Sequence, residues 1–323
     1  MTLRKTLKTQ PLFIVFSFFK RKKPILPVPE WASFFNQDEY NTFTSHVETY
    51  FKKKKAEFVY NDGVVIVENE DQEKTNHGLV NIAQQCKQTP VKEWKELINR
   101  HFDSFGHIDR FNQDFNSQAH DYDYVKSHLG VRLYAQDYLS HISDDIIITR
   151  RITEDIIAML VFDFPHSVSN VKPEQSILWD KSEDQLFQIG IANVKANYQS
   201  DISRERLGDF DIWFVTGEHF FTPNIVFELD NDPRLVGTYG SLIGIPHRHA
   251  VLIYPIENTE AVRVITGLIP VIYGMHQEGP GSISDKLYWY YDNVFYPLPY
   301  TLDEKTIQFF PPEKFLDMMN ELK

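Results

Sequence analysis

The sequence predicts an α+β fold, with a small N-terminal helix-hairpin-helix lobe followed by a larger mixed-sheet α+β domain. Three observations predict it. Apolar residues recur at helical spacing in some stretches and in continuous β-rich runs in others. These stretches alternate without a regular strand–helix period, unlike a doubly wound sheet. The chain has 323 residues, 42% hydrophobic and 24% charged, a globular balance with room for more than one core. With 25 Phe and 16 Tyr, those cores are expected to be built on rings.

Residues 1–29 read as a basic leader and a proline linker. The leader carries Arg4, Lys5, Lys8, Lys20, Arg21, Lys22 and Lys23 and no acidic side chain. Its apolar run at 11–19 falls well short of the ~20 residues of a membrane span. No small-residue cleavage site follows, so an export signal is not expected. Contact with an anionic membrane surface through residues 1–23 stays open.

The lobe is placed at 30–110. Tyr40, Phe43, Val47, Tyr50 and Phe51 mark one helix stripe, and Lys52 to Lys55 suit its C-terminal dipole. Runs at 57–60 and 64–67 flank Asn61-Asp62-Gly63, a hairpin signal. A helix over 78–87 puts Cys86 on an apolar stripe with Leu79, Ile82 and Ala83. Thr89-Pro90 opens another, built on Val91, Trp94, Leu97, Ile98, Phe102 and Phe105. Residues 111–130 are a connector; the polar stretch 107–128 is either a helix on Phe115, Tyr122 and Val125 or a linking segment.

The main domain is placed at 131–323. Strands are expected at 131–134, 146–149, 156–164, 212–215, 242–245 and 251–254, the third of them buried and central. Ser182 with Gln185 makes a capping box for a helix through Leu186, Phe187, Ile191 and Val194. Thr222-Pro223 starts a helix on Ile225, Val226 and Leu229. A further helix at 260–272 is expected to stop at Gly274. Strands 287–291 and 294–296 form a late hairpin, and Phe315, Leu316 and Met319 define a closing helix.

Charge and cysteine content narrow the function. The formal charge is −12, and beyond the leader 26 basic residues face 45 acidic ones. So acidic a body is a poor nucleic-acid binder. The single Cys86 excludes a disulfide framework and multi-cysteine metal sites, and fits a cytoplasmic, reducing location. Phosphate loops, HExxH, GxSxG and the kinase signature set are all missing.

Three stretches carry a resemblance. The first, 64–105, is an acidic hairpin, then a Gly-Leu-Val-Asn-Ile helix, then a capped Trp/Leu/Ile helix. The second, 146–194, has paired strands ending Val161-Phe162-Asp163-Phe164-Pro165, the Trp179 region, and a helix ending Ile191-Ala192-Asn193-Val194. The third is a helix at 223–230, then Ile243-Gly244-Ile245-Pro246-His247-Arg248-His249, then the strand at 251–254. In this order the chain resembles the bacterial YtpQ-like family, a domain of unknown function. That family commonly has a Pro-Ser-Arg-Asp-like turn in the third stretch. Pro246 and Arg248 match it, while His247 and His249 replace the serine and aspartate. The resemblance spans residues 30–300. It implies a cytoplasmic protein of that fold and carries no reaction.

Two functional readings follow. The first is a non-enzymatic binding or interaction module for another protein, with Arg248, Trp289 and Tyr291 as candidate contact residues and no cofactor. The second is a metal-assisted hydrolase. On an extended chain His247 and His249 share a face, and His276 with Glu278 from the following loop could complete a zinc or iron site. The bland alternative for 246–249 is a polar turn in which Arg248 pairs with an acidic neighbour. For Asp209, Asp211, Glu228, Asp230 and Asp232 it is a solvated helix end rather than a cation site. In the Tyr288-Trp289-Tyr290-Tyr291 run, alternation predicts that half the rings face the core.

Overall fold

The computed structural model describes residues 27–68, 74–141, 147–164, 167–303 and 306–322. The basic leader, and with it the membrane-surface expectation for residues 1–23, lies outside the described residues.

Helix α1 (Gln37–Lys53) starts in a capping box. The Asn36 side chain accepts from the Glu39 amide and the Glu39 carboxylate accepts from the Asn36 amide, both at 2.9 Å. Asn36→Ala is expected to lower the unfolding free energy by about 1 kcal/mol, read as a lower urea midpoint. Tyr40, Phe43, Val47 and Phe51 of α1 are buried. Strands β1 (Glu57–Asn61) and β2 (Val64–Glu68) pair antiparallel across Asp62 and Gly63. Both turn residues have positive φ (37° and 77°), which the Asp-Gly pair tolerates. A third strand, β3 (Lys74–Gly78), pairs with β2; its polar sequence gave no strand signal. Helix α2 (Val80–Lys87) buries Cys86 completely, and burial pushes its thiol up to about 12.

Helix α3 (Trp94–Gln118) is unbroken for 25 residues, so the stretch from 107 is helical as far as Gln118. It crosses the expected boundary at 110. Trp94, Ile98 and Phe102 pack into the first core, and Phe115 into the next.

After α4 (Tyr122–Val125) comes a sheet of β4 (Leu129–Ala135), β5 (Thr149–Arg151) and β6 (Ile156–Phe164), with β7 (Ser167–Asn170) pairing with the end of β6. Strand β6 is central and almost wholly buried, as its continuous apolar run predicts. Helices α5 (Pro173–Leu178) and α6 (Glu183–Asn197) follow, α6 opened by the Ser182–Gln185 box. Leu186 and Phe187 of α6 share a core with Val131, Leu160 and Phe162 of that sheet.

The second sheet is wholly antiparallel, in the order β13-β12-β10-β11-β9-β8. Its strands are β8 (Asp201–Leu207), β9 (Phe210–Thr216), β10 (Ser241–His247), β11 (Ala250–Pro255), β12 (Leu287–Tyr291) and β13 (Val294–Leu298). Helix α7 (Ala261–Glu278) covers one face, where Leu242, Leu252, Leu287 and Trp289 meet Val264, Leu268 and Ile272. The other face buries Ile243, Ile245, Val251, Ile253, Tyr288 and Tyr290 against Leu133 and Ile156 of the first sheet. Strands β14 (Tyr300–Leu302) and β15 (Ile307–Phe309) lead to the closing helix α8 (Glu313–Glu321).

Coverage of both faces corrects the aromatic expectation. Tyr288, Trp289 and Tyr290 are all buried, and only Tyr291 is exposed. Three further expectations change. Helix α7 does not stop at Gly274; burial of Ile265, Leu268, Ile269 and Ile272 carries it past Pro270 and Gly274 to a positive-φ Gly279. The stretch from 222 forms short 3-10 turns, not an α-helix. On α8, Met318 is buried and Leu316 is exposed. Among the described residues no helix is long and apolar enough to cross a membrane.

Candidate anion-binding site

The hairpin joining β10 to β11 carries His247, Arg248 and His249 at its tip. The segment after α7 runs alongside it. The Arg248 amide donates to the Gly281 carbonyl (3.0 Å), Ile283 to Pro246 (2.9 Å) and Ser284 to Ile245 (3.1 Å). Gly281 has φ +70°, and a Cβ there would stand 2.6 Å from Arg248 Cδ. Only glycine lets this segment close over the arginine stem.

Arg248 is 6% exposed. Its Nε donates to His249 Nε2 (3.1 Å), and its guanidinium carbon lies 4.2 Å from the centre of the Phe220 ring. Because His249 Nε2 accepts, Nδ1 holds the ring's proton and donates it to the Gly217 carbonyl (3.0 Å). The His249 amide in turn donates to His247 Nδ1 (3.2 Å). From the other sheet, Arg132 on β4 lays its guanidinium over the same Phe220 ring (5.0 Å) and over Tyr134 (4.7 Å). Arg132 Nε is buried without a hydrogen-bond partner. Tyr134 stacks on Tyr138 at 4.6 Å. Phe220 and Tyr138, 36% and 40% exposed, form the solvent side of the cluster.

Electrostatics follow from burial. Desolvation, then the neighbouring charge of Arg132, brings Arg248 down to about 10. Burial, then His249 and Arg248, pushes His247 down to about 4. His249 and His276 are also lowered, first by burial. At neutral pH the imidazoles are therefore uncharged, while Arg248 keeps its charge. Among the described residues no carboxylate pairs with either arginine. Among the described residues Arg248 has no acidic partner; its contacts are an imidazole and an aromatic face.

The metal quartet is corrected as well. Among the described residues no three His, Cys, Asp or Glu side chains could hold a metal ion. Both His249 nitrogens and His247 Nδ1 are already engaged, and a metal ligand needs a free lone pair. His276 lines a cleft of ≈ 350 Å³ with Trp31, Phe34, Gln84 and Ser282. Glu278 points to solvent at the end of α7.

Trp289 is no contact residue. It is 1% exposed, its Nε1 donates to the Tyr239 carbonyl (2.8 Å), and it packs edge-on against Phe315 at 5.3 Å. Tyr291 does reach the surface, stacked on Trp289 at 5.0 Å with Lys314 Nζ 5.4 Å from its ring centre. The acidic residues are spread over separate interactions. Asp209 pairs with Arg263, Asp211 with Arg204 and Arg206, Glu228 with Lys195, and Asp232 with Arg234; Asp230 accepts from Tyr290.

A second polar cluster joins the two sheets. Asp155 Oδ1 accepts from Tyr288 (2.7 Å) and Thr153 (2.9 Å), and Oδ2 accepts from Ser284 (2.6 Å). The Ser284 hydroxyl is thereby held between Asp155 and the Tyr288 hydroxyl (2.6 Å).

Sequence reasoning singled out Arg248 but missed Arg132 and Phe220. They stand on other elements, far along the chain, and no local spacing links them. No protein-family profile, curated protein or solved structure matches this chain.

Proposed function

We propose that this chain is a non-enzymatic, cytoplasmic binding module that receives an anionic group of a partner protein between Arg132, Phe220 and Arg248. One observation carries the reading: a guanidinium 6% exposed, beside a second one, with no carboxylate partner among the described residues. A buried uncompensated charge costs several kcal/mol, and natural cores avoid it unless the charge serves a ligand. YtpQ-like membership is part of the same proposal, supported by the residues that resemble that family. The metal-assisted hydrolase has no observation in its favour.

The test uses Arg248→Met, which keeps the buried stem and removes the charge. Most core substitutions destabilise. Here the variant is expected to melt several degrees higher than wild type in a low-anion buffer, because the uncompensated charge is gone. Added sulfate should raise the melting temperature of wild type and leave the variant's unchanged beyond the effect of matched chloride. A variant that melts well below wild type, with both proteins responding alike to sulfate, makes Arg248 a structural residue and ends the proposal.

A further inference from the structure

We infer that the group recognised at this site is a phosphoryl monoester rather than a carboxylate; the inference rests on the anion-binding reading above. Two features of the cluster favour it. The first is charge. Two guanidiniums share one aromatic ring, the imidazoles of His247 and His249 beside them are held neutral, and no carboxylate of the described residues forms an ion pair with either, Asp163 reaching Arg132 only at longer range. A dianion balances that pair, and a monoester phosphate carries close to two negative charges at neutral pH.

The second is the shape of the donors. Arg248 has committed Nε to His249, so it presents only its two terminal nitrogens. Arg132 approaches from the other sheet, with its own Nε unpartnered. One fork already saturates the two oxygens of a planar carboxylate. Two forks from different directions suit the three terminal oxygens of a tetrahedral group.

The surroundings restrict the size of the ligand. The body of the protein is acidic, and a nucleic-acid strand would meet repulsion at every phosphate outside the cluster. A single phosphoryl group can enter beside the half-exposed Phe220 ring and keep its ester substituent over Phe220 and Tyr138. Rings exposed at the rim would then contact whatever carries the phosphate.

Isothermal titration of the full chain tests this with three probes: a phosphoserine peptide, the same peptide with aspartate in place of phosphoserine, and inorganic phosphate. The phosphopeptide is expected to bind at least tenfold more tightly than its aspartate analogue. Arg132→Gln, at the half-buried second guanidinium, should weaken it about tenfold, and Arg248→Lys should do the same while keeping a buried charge. Phosphopeptide far above inorganic phosphate places the group on a protein; parity between them places it on a small molecule, and both support phosphoryl recognition. Equal binding of the aspartate peptide overturns the inference and leaves the anion-binding reading standing. Sulfate responses that ignore Arg248 overturn both.

Discussion

Asp155→Ala is expected to lower the free energy of unfolding by about 3–5 kcal/mol. The carboxylate accepts from Tyr288, Ser284 and Thr153, and Lys286 Nζ stands 3.6 Å away. Tyr288 is fully buried and Ser284 3% exposed, so both hydroxyls would lose their acceptor with no water to replace it. They lie 2.6 Å apart and could bond each other, which limits the loss but leaves one proton unmatched. Asp155→Asn keeps one acceptor and sets an amide donor against hydroxyl donors, so it should cost less than alanine and more than 1 kcal/mol. Urea unfolding followed by tryptophan fluorescence reads both. If alanine costs under 1 kcal/mol, the cluster does not hold the two sheets together.

Acid is expected to destabilise the fold between pH 6.5 and 4, above the range in which most carboxylates titrate. His247 sits at about 4 in the folded chain through burial and the nearby His249 and Arg248; His101 sits at about 4 through burial, His77 and Arg248. An unfolded histidine titrates near 6.5. The unfolded chain therefore takes up protons first. Stability is complete above about pH 6.5 and falls as the pH approaches 4, by about 3 kcal/mol for each such group. Asp155 acts in the opposite range. Burial alone would raise it, but hydrogen bonds from Ser284, Tyr288 and Thr153 hold it below the ordinary value. Its contribution is lost only as the pH falls under about 3.9. His247→Gln should flatten the decline between pH 6.5 and 4 by less than half relative to wild type, because His101, His249 and His276 contribute to it as well. An unchanged slope would mean that His247 titrates normally in the folded protein.

Local signals in the sequence were reliable where the chemistry is local. Asp62-Gly63 and Asp292-Asn293 occupy positive-φ turns. Ser182 with Gln185 opens α6, and the Ile-Ile-Ala-Met-Leu-Val-Phe run forms a buried strand. Polar strands were invisible. Strand β8 (Asp-Ile-Ser-Arg-Glu-Arg-Leu) is held at a sheet edge by pairing with β9, not by any hydrophobic pattern of its own. Burial of Trp289 and Tyr290 together requires helices on one face of the sheet and a second sheet on the other, which no single strand reports. The site was half visible. His247-Arg248-His249 stood out as a cluster, but its chemistry comes from partners. Arg248 occupies the Nε2 lone pair of His249 and the Gly217 carbonyl takes its Nδ1 proton, and Phe220 with Arg132 turns an expected polar turn into a cationic cluster.

The passage of α3 from one core into the next bears on how this protein can be taken apart. At 1.5 Å per residue the helix is a strut of roughly 37 Å, with Trp94 anchored in the first core at its start and Phe115 in the next core near its end. A fragment cut at 110, where the sequence suggested a seam, would leave the N-terminal piece with a dangling half-helix. The second piece would keep Phe115, the ring that packs on Phe162 and Phe164, only on the last turns of a truncated helix. Neither piece should then fold as it does in the intact chain. An N-terminal fragment is better ended beyond Gln118, and a shorter C-terminal one should keep α3 whole.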